Sequence, residues 1–157
     1  MCCAVDGNEG VVPLVSILLA AGADVHLRDF EAWDALSMAA YTPTSPCGVL
    51  SALLDAGADV NSRACPYGPP VLLAAKLRNL GAVSLLLSRG ADPNLPDACG
   101  QTALSWAKWA GDRRIAKVLE RAGGRSTSAG DMQTATLGQL ELDVSCMGCL
   151  LGLGGRQ

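Results

Sequence analysis

A single histidine, His26, is the whole imidazole complement of this 157-residue chain, and no cysteine or carboxylate motif stands at ligand spacing from it. It reads as a loop residue, and histidine-based catalysis or metal binding lacks its usual partners. An HExxH helix, a Gly-rich phosphate loop and a nucleophile elbow are missing too; Gly152-Leu153-Gly154-Gly155 has the wrong spacing for a phosphate cradle. Charge is scarce, at 17 % of residues, and neither sign dominates: 12 Lys and Arg against 15 Asp and Glu leave a net −3. A uniformly basic binder of nucleic acid or of an anionic membrane surface is excluded. Long apolar runs are lacking as well. The most apolar stretch, Val11 to Ala23, contains Pro13 and stops at Asp24, short of the ~20 residues of a membrane span. Asp6 and Glu9 precede it with no Lys or Arg, which argues against a secretory leader.

What the chain does have is apolar content, 50 % of residues, enough for one globular unit with a buried core. Its seven cysteines are odd in number and irregularly spaced. Reduced thiols, and so a cytoplasmic or nuclear location, fit better than a disulfide framework.

The dominant signal is internal repetition. Gly-Ala-Asp recurs at Gly22, Gly57 and Gly90, and Gly123 follows in a degraded copy, at steps of 35, 33 and 33. Four residues before each glycine stands a leucine: Leu18, Leu53, Leu86 and Leu119. Seven before stand Val15, Leu50, Val83 and Ala116. Apolar residues three apart ahead of a glycine predict a helix with one buried face and a left-handed stop. Upstream of the last three lie further helical segments, Asp34 to Tyr41, Pro70 to Arg78 and Thr102 to Ala110. Their inward positions are small or apolar (Leu36, Ala39 and Ala40; Val71, Ala74 and Ala75; Leu104 and Ala107), which lets neighbouring backbones approach closely. Thr102 is placed as an N-cap, and Pro46 and Pro70 as first helical residues.

These residues resemble the ankyrin repeat, and the fullest copy runs from Asp97-Ala-Cys-Gly-Gln-Thr-Ala-Leu-Ser-Trp106 through Gly111, Ile115 and Leu119 to Gly123. The resemblance implies an all-α solenoid of stacked helix-turn-helix pairs with β-turn fingers over residues 1–125. A partial repeat at 1–28 is followed by repeats at 29–63, 64–96 and 97–125, and then by a flexible tail, 126–157. The family's Thr-Pro-Leu-His tetrad reads Asp34-Ala-Leu-Ser37, Pro69-Pro-Val-Leu72 and Thr102-Ala-Leu-Ser105, so each histidine is replaced and reduced stability is expected there. The first-helix slot of the first copy falls on Met1 to Val5, too short to cap a stack. Either the sequence begins inside a longer array or residues 12–21 face solvent on one side.

The resemblance also implies non-catalytic protein binding, with no cofactor, through a concave surface of finger turns and first helices. Carried over by position, the contacts are Arg28, Phe30, Glu31, Trp33, Tyr41, Arg63, Lys76, Gln101 and Trp109. Four of the six aromatics fall on that surface, and aromatics and arginine are frequent interface anchors. Trp33 and Trp109 are the expected anchors, although such rings also shield loops between repeats. Trp106 is expected in the core. Asn61 and Asn94 occupy the family loop in which asparagine hydroxylation occurs.

Four other readings stay open. Residues 1–62 hold eight acids and one base, whereas residues 63–125 hold ten bases and four acids, a polarity that suits an oriented partner or weak head-to-tail self-association. Arg113, Lys117 and Arg121 form a stripe on the last helix that suits a nucleic-acid backbone or, equally, a polar end cap. Cys146-Met-Gly-Cys149 is a CxxC pair suited to redox or zinc chemistry, but a second ligand pair is not nearby. In the tail, Leu140, Leu142 and Val144 alternate with Glu141 and Asp143, a strand pattern that would need a partner's sheet edge or the array itself to bury it.

Overall fold

The computed structural model describes residues 11–42, 47–63 and 67–126. Pro46, the CxxC pair and the alternating tail segment lie outside the described residues. Among the described residues seven helices follow in order: α1 (Val11–Ala20), α2 (Ala35–Ala40), α3 (Cys47–Asp55), α4 (Pro70–Lys76), α5 (Leu80–Ser88), α6 (Ala103–Trp109) and α7 (Arg113–Arg121). Among the described residues, the only extended pairing is a single antiparallel bridge, Arg28 with Asp34.

Capping chemistry sets the helix starts. Asp34 accepts the Ser37 N–H at 2.7 Å and Thr102 accepts that of Ser105 at 3.3 Å, opening α2 and α6. Pro70 opens α4, where its missing N–H costs nothing. Asn79 caps α5 through the Ala82 N–H, and Asp112 caps α7 through those of Arg114 and Ile115. Each second helix ends in the same way. Gly22, Gly57, Gly90 and Gly123 sit at φ of 88°, 92°, 89° and 82°. The residue after each glycine donates its N–H to the carbonyl of the repeated leucine, at 2.8–3.0 Å. The leucine that marks the period is thus also the acceptor that closes the helix.

Helices α2, α4 and α6 form one layer, and α1, α3, α5 and α7 the other. Helices α2 and α3, α4 and α5, and α6 and α7 pack as pairs, and helices of one layer pack on their counterparts in the adjacent repeat, α1 on α3. Ala40, Ala74, Ala75, Ala103 and Ala107 are buried where these helices meet, as close helix contact requires. Three of the four phase-matched leucines are core residues: Leu53, Leu86 and Leu119. Leu18 departs from the expected burial and is 51 % exposed. Among the described residues no helix lies over that side of α1, so one face of the 12–21 segment meets solvent.

The histidine slots take three different solutions. Leu72 is apolar and buried. Ser105 shares a hydrogen bond with Thr102 at 3.1 Å. Ser37 is fully buried, and its hydroxyl has no partner among the described residues, an arrangement that costs about 1–3 kcal/mol.

Candidate functional site

Two of the finger turns are each organised by one aspartate. Asp29 accepts the N–H groups of Glu31 (2.9 Å) and Trp33 (2.8 Å), and Asp97 accepts those of Cys99 and Gln101 (both 2.9 Å). The fourth residue of each of these two fingers is left-handed: Gly100 at φ 73° and Ala32 at φ 64°. Alanine there carries a strain that glycine would avoid. The loops after the second helices are pegged across repeats. Asn61 accepts the Asp92 N–H at 2.8 Å, and Asn94 accepts that of Arg125 at 2.7 Å. Asp34 adds a further tie by accepting the Ser62 hydroxyl.

Two aromatic groups emerge on the surface built by the fingers and the first helices. In the first, Trp33 lies 5.2 Å from Tyr41 and 5.6 Å from Tyr67, and the two tyrosine rings stack at 6.4 Å with 13° between planes. In the second, Trp109 meets Trp106 edge-on at 5.3 Å, and the Lys76 ammonium stands 4.9 Å from the centre of the Trp106 ring. Asp97 links the second group together. Its Oδ2 accepts from Lys76 Nζ at 3.1 Å and from Trp106 Nε1 at 3.5 Å. Lys76 also donates to the Tyr67 carbonyl at 3.1 Å, which joins the two groups.

The residues expected to meet a partner divide accordingly. Phe30 (96 % exposed), Trp109 (61 %) and Tyr41 are open. Arg28, Glu31 and Arg63 are exposed, Arg63 donating to the Pro96 carbonyl at 3.4 Å. Gln101 is half-buried in its turn. Two placements need correction. Trp33 is only 7 % exposed and belongs to the core, because Tyr41 and Tyr67 cover it. Lys76 is 11 % exposed at its side chain and committed to Asp97. Both support the surface from beneath. Trp106, expected in the core, is half-buried between Lys76 and Trp109.

The sequence reading missed Tyr67 and Asp97. Both lie in finger turns, where period alone does not show which side chains turn inward; the Asp29/Asp97 correspondence was the available signal. Cys99 departs from the expected reduced thiols, since it is disulfide-bonded. Among the described residues no three His, Cys, Asp or Glu side chains cluster to hold a metal, and no helix is long and apolar enough to cross a membrane.

The Asp112 carboxyl has a lowered pKa. The Ile115 N–H holds its carboxyl below the ordinary range against the opposing effect of desolvation, and the Arg114 N–H and the Arg78 guanidinium add to the lowering.

In-phase helix pairs, finger turns and asparagine pegs define a helical-repeat solenoid, a class that works by displaying surface side chains on a stiff frame. A family model described as ankyrin repeats, in three copies, matches residues 1–97, and the chain belongs to the ankyrin repeat family. It is similar to the ankyrin repeat protein nuc-2 of Neurospora crassa, 33 % identical over 113 residues that cover 71 % of this chain and 10 % of that protein. It is also similar to a putative ankyrin repeat-containing protein of Treponema pallidum, 35 % identical over 113 residues covering 71 % of this chain and 37 % of that one. The chain therefore matches only a minor part of either relative's length. Ankyrin repeats are generally protein-interaction modules and typically non-catalytic.

Proposed function

We propose that this chain binds a protein partner without catalysis, through the surface formed by its fingers and first helices over residues 1–125. Exposed Trp109 carries the reading. A large ring costs free energy to leave in water, and this one is held edge-on by Trp106, itself fixed by Lys76 and Asp97. A side chain held in place before binding loses little entropy when a partner covers it. Tyr41, Phe30 and Arg63 extend the contact surface, with Trp33 and Lys76 as its supports.

The test is affinity capture from a lysate with the full chain and with Trp109→Ala. A partner held by the first and lost by the second, at unchanged helical content and melting, supports the reading; equal recovery removes Trp109 from the interface. We assign this activity to the cytosol or nucleus, and the Cys99 disulfide is the feature that argues for an oxidising compartment instead. Thiol trapping of the protein in its native cell decides between them.

A further inference from the structure

Tyr41, Lys76 and Trp109 stand at one register position in three successive repeats, at the same distance past the N-caps Asp34, Pro69 and Thr102. Lys76 is drawn under the surface by Asp97. In its repeat the exposed ring comes from the finger instead, as Tyr67, whose carbonyl accepts the Lys76 ammonium at 3.1 Å. The second, third and fourth repeats thus each add an exposed ring, Tyr41, Tyr67 and Trp109, to one row along the first helices.

Charge and hydrogen-bond complementarity restrict what can cover this row. Lys76 and Asp97 neutralise each other, so a charged segment lying here would give up its hydration without meeting an opposite charge. The acceptors beneath the rings are already taken. Asp97 Oδ1 accepts the N–H groups of Cys99 and Gln101, and Oδ2 accepts Lys76 and the Trp106 indole. Donors remain: the Tyr41 hydroxyl and the Trp109 indole N–H make no hydrogen bond among the described residues. The complementary occupant is uncharged, rich in carbonyl acceptors and poor in N–H groups. A proline-rich segment has this chemistry, because each proline keeps its carbonyl, lacks the N–H and offers a ring that packs on an aromatic face.

We propose that the row binds a partner segment in the polyproline II conformation, with proline at every third residue. The inference rests on the protein-binding reading above and narrows the partner. Its pitch supports the assignment. Packed helices stand about 8–10 Å apart, so Tyr41 and Trp109, two layers apart, are separated by about 16–20 Å. Polyproline II advances about 3.1 Å per residue at three residues per turn, so two turns cover about 19 Å. Prolines at i, i+3 and i+6 then meet Tyr41, Tyr67 and Trp109 in order. A β-strand, whose same-face residues recur at about 6.6 Å, falls out of step with the layers. Polyproline II is also stiff before it binds, as the row is, so little entropy is lost when the two meet.

The test is fluorescence anisotropy of a labelled peptide of about nine residues, with proline at the second, fifth and eighth positions and alanine elsewhere, titrated with the full chain. The expected result is saturable binding with a dissociation constant below about 1 mM. Trp109→Ala should weaken it about tenfold. Tyr41→Phe, which keeps the ring and loses the donor, should weaken it less. Circular dichroism checks that both variants keep their helical content. Peptides with alanine in place of the prolines, or with proline at every second position, should bind about tenfold more weakly than the first. No saturation overturns the proposal, and so does equal binding of the control peptides or of Trp109→Ala. Tighter binding of an oligoglutamate or oligolysine peptide also overturns it. If the proline peptide fails while Trp109-dependent capture from a lysate succeeds, the protein-binding reading stands and only this narrowing of it falls.

Discussion

Lys76 and Asp97 come from adjacent repeats and meet at 3.1 Å with side chains only 11 % and 4 % exposed. Their contact holds α4 to the finger of the following repeat and also fixes the underside of Trp106. Asp97→Ala is expected to cost about 3 kcal/mol, because it strands a nearly buried ammonium and opens the turn that Cys99 and Gln101 close. Asp97→Asn, which keeps an oxygen acceptor, should lose less. Urea unfolding midpoints of the two variants give the comparison.

Trp33 and Trp109 occupy equivalent-looking places on the expected binding surface, yet one is covered and the other open. Trp33→Ala is expected to destabilise by about 3–5 kcal/mol, since it empties the space beneath Tyr41 and Tyr67. Trp109→Ala should stay within about 0.5 kcal/mol of the parent. Thermal melts of both variants separate support from display. Equal losses would place Trp109 in the framework.

The same repeat position should answer differently in different layers. Leu86→Ala removes a fully buried side chain and is expected to cost about 2–5 kcal/mol. Leu18→Ala, at the matching register but open to solvent, is expected to cost under about 1 kcal/mol at low protein concentration. A large loss for Leu18→Ala would mean that α1 is covered in the protein as it exists in solution.

Asp112 sets an acid dependence. Its folded-state carboxyl lies below the ordinary value, chiefly through the Ile115 N–H, so the folded state favours the ionised form. The stabilisation is complete above the unfolded value near ~3.9 and is lost as pH falls through the lower folded value. Asp112→Asn should therefore show a shallower loss of stability with acid than the parent over that window. Melting temperatures between about pH 2 and pH 6 measure it. Parallel curves for the two proteins would count against the assignment.

Much of the fold was legible from local rules. The glycine stops, the leucine four residues before each and the Thr102 cap depend on contacts within one helical turn, and the helices form where the register predicted them. The family followed from the phase of those marks. The surface was harder to read, because a finger residue's fate depends on what the next repeat brings beside it. Trp33 is covered by Tyr67, 34 positions away, and Lys76 is neutralised by Asp97, 21 positions away; neither pairing is visible as a period.

The sequence by itself determined the period, the helix boundaries and the apolar face each helix offers, since these are set by propensity, capping and spacing along the chain. Tertiary structure alone decided which of those faces are covered. Burial depends on a neighbouring layer being present, and so the same leucine is core in three repeats and surface in the first.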